Sequence, residues 1–280
     1  MIVISTQNSR YLEWQTKFLE FSAGRYVPGT PVLELQTHFT PPRLYLVTEN
    51  PRKLIVRESG KDEYTKDDYT PYNKPNALWE WVLQFQPRDE DVTVHILDPD
   101  CVFLFEPEKR IFGRVPKGSP QGEYIFYLDQ DCVQKYPRLQ NFTKAPPETW
   151  QPIGIPISIH LSDLRRLLPR WICLLKEMRS NKLLVQEIPW VLEMWAYSIA
   201  VAELGIVHEV KLRQHAPNDV RLTRAICHYC YDTSYKGWKW SKRSWLPGDV
   251  HNPPYTFLTE VGRKFHELLQ EFLNFEMRKT

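Results

Sequence analysis

The chain contains no long hydrophobic run. No segment approaches the roughly 18 to 20 apolar residues that a membrane-spanning helix needs. Met1-Ile2-Val3-Ile4-Ser5-Thr6 reads as a strand from the first residue, with no basic and then apolar leader ahead of it. The expectation is a soluble, cytoplasmic protein with no membrane partner. Net charge is also slight, since 36 Lys and Arg against 34 Asp and Glu leave +2. That supplies no general attraction to nucleic acid, which would require basic residues clustered on one face. Cysteine is sparse and odd in number, at Cys101, Cys132, Cys173, Cys227 and Cys230, so the thiols are expected to be reduced. Cys227 and Cys230 form one C-x-x-C, with no second pair to complete a zinc site. Glycine is scarce, 11 residues against 23 prolines, so connections should be stiff and irregular. There is no internal repeat and no low-complexity tract.

What is present fits a globular α/β protein. The 280 residues are 42% hydrophobic and 25% charged, enough for one large core or two small ones. Aromatic residues reach 13%, which suits clefts that stack on sugars or bases and equally suits a bulky core. Strand signals at 1–6, 31–36, 44–47, 92–97, 123–128, 153–159 and 225–231 alternate with helical periodicity at 11–21, 76–85, 169–179 and 189–204. This is the rhythm of a mixed central sheet with covering helices. Residues 61–68 are charge-dense and read as a solvated loop. Ser162 suits the cap of a short helix, and Pro169 suits the first turn of the next. Pro189 and Gly205 bracket an apolar helix with Glu193 in its middle, and Trp190, Glu193 and Tyr197 fall on one face by spacing. Residues 235–245 read as a basic, aromatic loop, and 257–277 as an amphipathic helix that serves packing or, alternatively, a dimer contact.

The candidate chemistry begins at Val92-Thr93-Val94-His95-Ile96-Leu97-Asp98-Pro99-Asp100. An apolar strand runs into two aspartates, and on extended chain residues i and i+2 point to the same side. Carboxylates that close repel unless a cation joins them, and a hard divalent ion with oxygen ligands is the usual solution. Many nucleotide-sugar glycosyltransferases use such a pair. Aspartates flanking a proline are also common turn formers, which is the plainer reading. An isolated ionised Glu193 inside an apolar helix needs a partner or a function.

Several segments occur here in one order. They are Tyr11-Leu12-Glu13-Trp14-Gln15, Asn73-Lys74-Pro75, Leu97-Asp98-Pro99-Asp100, Pro152-Ile153-Gly154, Trp190 to Tyr197, His228-Tyr229-Cys230-Tyr231 and Lys242-Arg243-Ser244-Trp245. Together, over roughly residues 1 to 250, they resemble the plant hydroxyproline O-arabinosyltransferases and the related peptidyl serine O-galactosyltransferases. The resemblance implies a GT-A type, Rossmann-like nucleotide-sugar fold over 1–250, with the helix of 251–280 packed on it. It further implies a divalent metal (Mn or Mg), a UDP-sugar donor, an acceptor hydroxyl and retention of anomeric configuration. Family members typically carry Glu-Pro-Asp-His where this chain has Asp98-Pro99-Asp100-Cys101, and either carboxylate preserves the metal chemistry. They are also Golgi-anchored, so a chain without an anchor points to another setting, bacterial or viral.

By that resemblance Asp98, Asp100 and His228 are the metal ligands. Asn73, Lys74, Asp98, Gly154, Lys242 and Arg243 are the donor-binding residues, the last pair as a diphosphate clamp. Glu193 is the candidate catalytic residue, as hydrogen-bonding group, charge stabiliser or nucleophile; same-face attack within an ion pair needs no nucleophile. Trp190, Tyr197, Trp238 and Trp240 are candidates for acceptor contact. The acceptor is a peptide hydroxyl or, as an alternative, a hydroxylated base in viral DNA, held by the 235–245 run. A reading of another class is a non-catalytic UDP-sugar or glycan-binding module.

Overall fold

Ile2, Val3 and Ile4 are all buried, the mark of a strand covered on both faces. The computed structural model describes residues 1–38, 52–57, 60, 67–84, 91–247, 249 and 251–279. The strand expected at 44–47 and residues 61–66 of the charged loop lie outside them. The described chain divides into two units: residues 1–7, 33–97 and 113–212, and residues 8–32, 98–112 and 213–280.

The first unit is built on a seven-stranded mixed sheet. Its strands are β1 (Ile2–Gln7), β2 (Val32–His38), β3 (Lys53–Arg57), β4 (Thr93–Leu97), β6 (Gln121–Tyr124), β7 (Ile153–His160) and β8 (Glu209–Lys211), in spatial order β3-β2-β1-β4-β7-β6-β8. β1 runs parallel to β4, whereas β7 runs antiparallel to both β4 and β6. Every residue of β7 is buried, Ser158 and His160 included, as expected of an inner strand covered on both faces. Helices α2 (Asn73–Gln84), α3 (Gln130–Lys135), α4 (Leu161–Ser180), α5 (Lys182–Glu187) and α6 (Leu192–Glu203) belong to the same unit, with α4 packed against α2 and α6.

The second unit holds α1 (Arg10–Tyr26), β5 (Cys101–Phe103), β9 (Gln214–His215), β10 (Ile226–His228), β11 (Thr233–Tyr235), β12 (Trp238–Trp240) and α7 (Glu260–Met277). Ser9 and Thr259 cap α1 and α7 through side-chain oxygens that accept from Leu12 and Gly262 N–H groups. The apolar stripe of α7 packs on α1, and an aromatic core forms from Trp14, Phe18, Tyr229, Trp240, Phe265 and Phe272.

Four local expectations are corrected. α4 is one helix through Pro169, capped by His160, rather than a short helix and a restart. Proline there forfeits one backbone bond, at about 3 kcal/mol, but Leu164, Leu167, Leu168, Trp171, Leu174 and Leu175 form one buried stripe across it. The expected 189–204 helix is preceded by the separate α5 and starts at Leu192, so Pro189 and Trp190 lie ahead of it. The expected 123–128 strand ends at Tyr124 and passes into a 3-10 turn at Phe126–Leu128. Residues 233–240 form a hairpin, because Lys236 and Gly237 both take positive φ (40° and 87°), the geometry of a two-residue turn.

Candidate functional site

The chain after β4 turns at once. The Cys101 N–H donates to the Asp98 C=O at 3.0 Å, closing a turn with Pro99 at its second position. Asp98 and Asp100 are therefore turn residues rather than alternating strand residues, which corrects the extended-chain expectation. Proline presets the φ that the turn needs. β5 leaves this turn and pairs antiparallel with β10, placing His228 opposite Cys101, and the Tyr229 N–H donates to the Asp100 C=O at 3.0 Å. That register brings the His228 imidazole to Asp100, with Nε2 3.2 Å from Oδ1 and 4.0 Å from Asp98 Oδ2. The Lys242 ammonium, 142 residues from Asp100 in sequence, donates to its Oδ2.

Burial opposes charge on Asp100, but His228 and Lys242 outweigh it and hold the carboxyl well below its usual range. His228 is shifted the other way: burial disfavours its cation, and Asp100 then raises its pKa above the ordinary value. Cys101 is fully buried, and burial together with the Asp100 charge raises its thiol pKa, so it stays neutral. One ligand atom each from Asp98, Asp100 and His228 lie within 4.8 Å of one another. Two carboxylate oxygens and one imidazole nitrogen suit a divalent ion such as Mn or Mg. The residues present therefore fit the metal.

The first unit carries a different cluster. Glu193 is the second residue of α6, not its midpoint, so its carboxylate lies at the positive end of the helix dipole. It is 5% exposed, with Lys74 Nζ 3.6 Å from its Oε2. Sequence reading missed Tyr69, whose one signal was its position just ahead of Asn73-Lys74. The Tyr69 hydroxyl accepts the Glu193 N–H at 3.1 Å and donates to the Trp190 C=O. Burial, then the Glu193 charge, raises the Tyr69 pKa, so the phenol keeps its proton. Arg179 stacks 4.1 Å from the centre of the Tyr69 ring and pairs with Asp67, which fixes the ring. Tyr69→Phe removes the acceptor for a buried N–H, and urea unfolding should show a loss of about 1 to 2 kcal/mol.

The remaining candidates are dispersed. Trp190 is 67% exposed while Tyr197 is buried against Trp171, so the single face expected for Trp190, Glu193 and Tyr197 does not exist. The Tyr197 hydroxyl bonds to His208 Nε2 at 2.7 Å. Asn73 is buried and opens α2, three residues earlier than the sequence indicated. Gly154 faces protein, because a Cβ there would stand 2.3 Å from Ile125 Cγ1 and 3.0 Å from Met194 Cε. Arg243 is exposed, Trp238 is half-buried and Trp240 lies in the aromatic core.

The model of the hydroxyproline O-arabinosyltransferase family N-terminal domain matches residues 45–210, more than half of the chain. The chain belongs to the hydroxyproline O-arabinosyltransferase family. Hydroxyproline O-arabinosyltransferase NOD3 of Pisum sativum is 27% identical over 285 residues, covering 90% of this chain and 80% of the pea protein. Hydroxyproline O-arabinosyltransferase RDN2 of Medicago truncatula is 27% identical across 64% of this chain, which spans 53% of that protein. Peptidyl serine alpha-galactosyltransferase of Arabidopsis thaliana is 25% identical across 74% of this chain and 26% of its own length. Among solved structures, galactosyltransferase LgtC with donor and acceptor sugar analogs superposes with a TM-score of 0.54 at 11% identity, covering 98% of this chain and 95% of that one. The fold is GT-A, and this family member is a glycosyltransferase. The family-model match includes Asp98, Asp100 and Glu193 but ends before His228 and Lys242. Among the described residues no helix is long and apolar enough to cross a membrane.

Proposed function

We propose that this chain is a retaining, metal-dependent transferase that moves a sugar, L-arabinose first and galactose second, from UDP to an acceptor hydroxyl. The convergence of Asp98, Asp100 and His228 carries this reading. The relatives named O-arabinosyltransferase and alpha-galactosyltransferase supply the order of donor sugars. We take residues 1–250 as the transferase domain and 251–280 as a helix packed on it.

A divalent ion held by those three ligands would neutralise the donor diphosphate as its bond to the sugar breaks. Asp98 and Asp100 supply hard oxygen ligands, and His228 a nitrogen. Lys242, held on Asp100 by its ammonium, has the reach and charge to meet a phosphate oxygen. Glu193, kept in place by Lys74 and by the Tyr69 hydroxyl on its backbone, is assigned to the reacting sugar. A carboxylate in that role stabilises positive charge developing on the sugar or attacks it directly.

A peptide hydroxyl is favoured over a DNA base as acceptor. Within 235–245, Trp240 and Trp245 are buried, Lys239 pairs with Asp232 and Lys242 with Asp100. Little basic aromatic surface therefore remains for phosphate and base stacking. A donor panel tests the proposal: purified protein with UDP-L-arabinofuranose, UDP-galactose and UDP-glucose, each with Mn or with EDTA. The expected result is Mn-dependent UDP release, fastest with one of the first two. No release from any donor would leave only a sugar-nucleotide-binding module.

A further inference from the structure

All ten tryptophans are among the described residues. Seven are buried, Trp79 and Trp238 are half-buried, and Trp190 alone is exposed, at 67%. A single apolar side chain in solvent is ordinary on a protein surface. Trp190 differs in how its backbone is held and in what stands beside it.

Two successive carbonyls anchor the chain there. The Arg179 guanidinium donates to the Pro189 C=O at 3.2 Å, and the Tyr69 hydroxyl donates to the Trp190 C=O. The Tyr69 ring also meets the indole edge-on, with centroids 6.3 Å apart and planes at 73°. Arg179 packs on the other partner of this contact, the Tyr69 ring, and bonds to Asp67 at 2.8 Å. The indole is therefore carried on a fixed backbone and left open to solvent. A partner has only two side-chain torsions to freeze, so such a residue gives a large contact area at low entropic cost.

Tyr69 also ties the indole to the candidate reacting centre, because the same hydroxyl accepts the Glu193 N–H at 3.1 Å. Three peptide units separate Trp190 from Glu193, at most about 11 Å between their Cα atoms. A peptide in polyproline II form advances about 3.1 Å per residue. A residue stacked on the indole is thus within about three or four residues of one whose hydroxyl reaches Glu193.

The surroundings limit what such a peptide can be. The nearest charges are matched in pairs, Arg179 with Asp67 and Lys74 with Glu193, so this surface does not select a charged segment. An open indole face suits the C–H face of a saturated ring. A proline-rich segment supplies that ring and is already extended, so little ordering entropy is lost on docking.

We propose that Trp190 is the acceptor-specificity residue: its indole receives a proline-type ring of a neutral, extended peptide and sets the register of the acceptor hydroxyl against Glu193. This deepens the peptide-acceptor reading given above and rests on it. An end-blocked, dye-labelled octamer of hydroxyproline is titrated with the full chain in EDTA, without nucleotide, and followed by fluorescence anisotropy. An end-blocked Gly-Ser octamer, which also carries hydroxyls, is the control. The hydroxyproline octamer should bind saturably, with a dissociation constant on the order of 1 mM or below, and the Gly-Ser octamer at least about tenfold more weakly. Trp190→Ala should weaken binding by about tenfold, the scale of one aromatic contact, and Trp190→Phe by less than about threefold, because a ring remains. Both changes are made at a solvent-exposed side chain, so both variants should fold, as circular dichroism will check. No donor or metal is present, so a failed donor panel sinks the transfer reading without touching this result. No saturable binding, equal binding of the Gly-Ser octamer, or binding indifferent to Trp190→Ala overturns the proposal.

Discussion

Asp100→Asn should lower Mn-stimulated UDP release by at least about a hundredfold, the usual scale for losing one preorganised electrostatic group at a reacting centre. The carboxylate is buried, with His228 on one oxygen and Lys242 on the other. Asparagine preserves its shape and removes its charge. Manganese binding, followed by electron paramagnetic resonance without any donor, should weaken in parallel. Removing the negative partner also leaves the Lys242 ammonium without its carboxylate, a change worth about 3 to 5 kcal/mol in comparable buried pairs. Circular dichroism must therefore establish that the variant is folded at the assay temperature. A folded variant with undiminished Mn binding and Mn stimulation would show that Asp100 only neutralises Lys242 and His228. The metal assignment would then fall.

Glu193→Gln has the second large expected effect, and its signature is a split between parameters. The turnover number should fall by about a hundredfold or more, while the Michaelis constant for the donor changes by less than about threefold. Glutamine keeps the hydrogen-bonding shape at the start of α6 but cannot stabilise positive charge on a sugar. Its backbone N–H still donates to Tyr69, so the helix start is preserved. The competing role is structural, with Glu193 serving only to neutralise Lys74. In that case Glu193→Gln loses stability and leaves turnover within a few-fold of the parent. The Tyr69→Phe variant sharpens the contrast, since it disturbs the same backbone without touching the carboxylate.

Much of the framework was legible along the chain because its signals are local. The apolar-rich segments of β1 and β7 and the periodic stripes of α1 and α7 depend on residues within a turn or two. Where local signals misled, packing overrode them. Pro169 marks a helix start by propensity, yet a continuous buried stripe carries α4 through it. Trp190 completes a helical face by spacing, yet the helix begins two residues later and leaves the indole in solvent.

The site was legible only in pieces. Asp98 and Asp100 stood out as acidic residues ending an apolar strand, and Glu193 as a charge in an apolar segment. His228, Lys242 and Lys74 carry no such local mark and were singled out through family resemblance. Tyr69 carried only its place just ahead of Asn73-Lys74, a signal too general to single it out.

By itself the amino-acid sequence determined an α/β chain of this family, most of its strands and helices, and which acidic residues lacked an obvious structural purpose. Tertiary structure alone decided that His228 and Lys242 close on Asp100 and that Lys74 meets Glu193. The reason is range. Propensity and periodicity act over a few residues, whereas strand register and side-chain packing join residues far apart in sequence, and a one-residue slip in β10 would turn His228 away from Asp100.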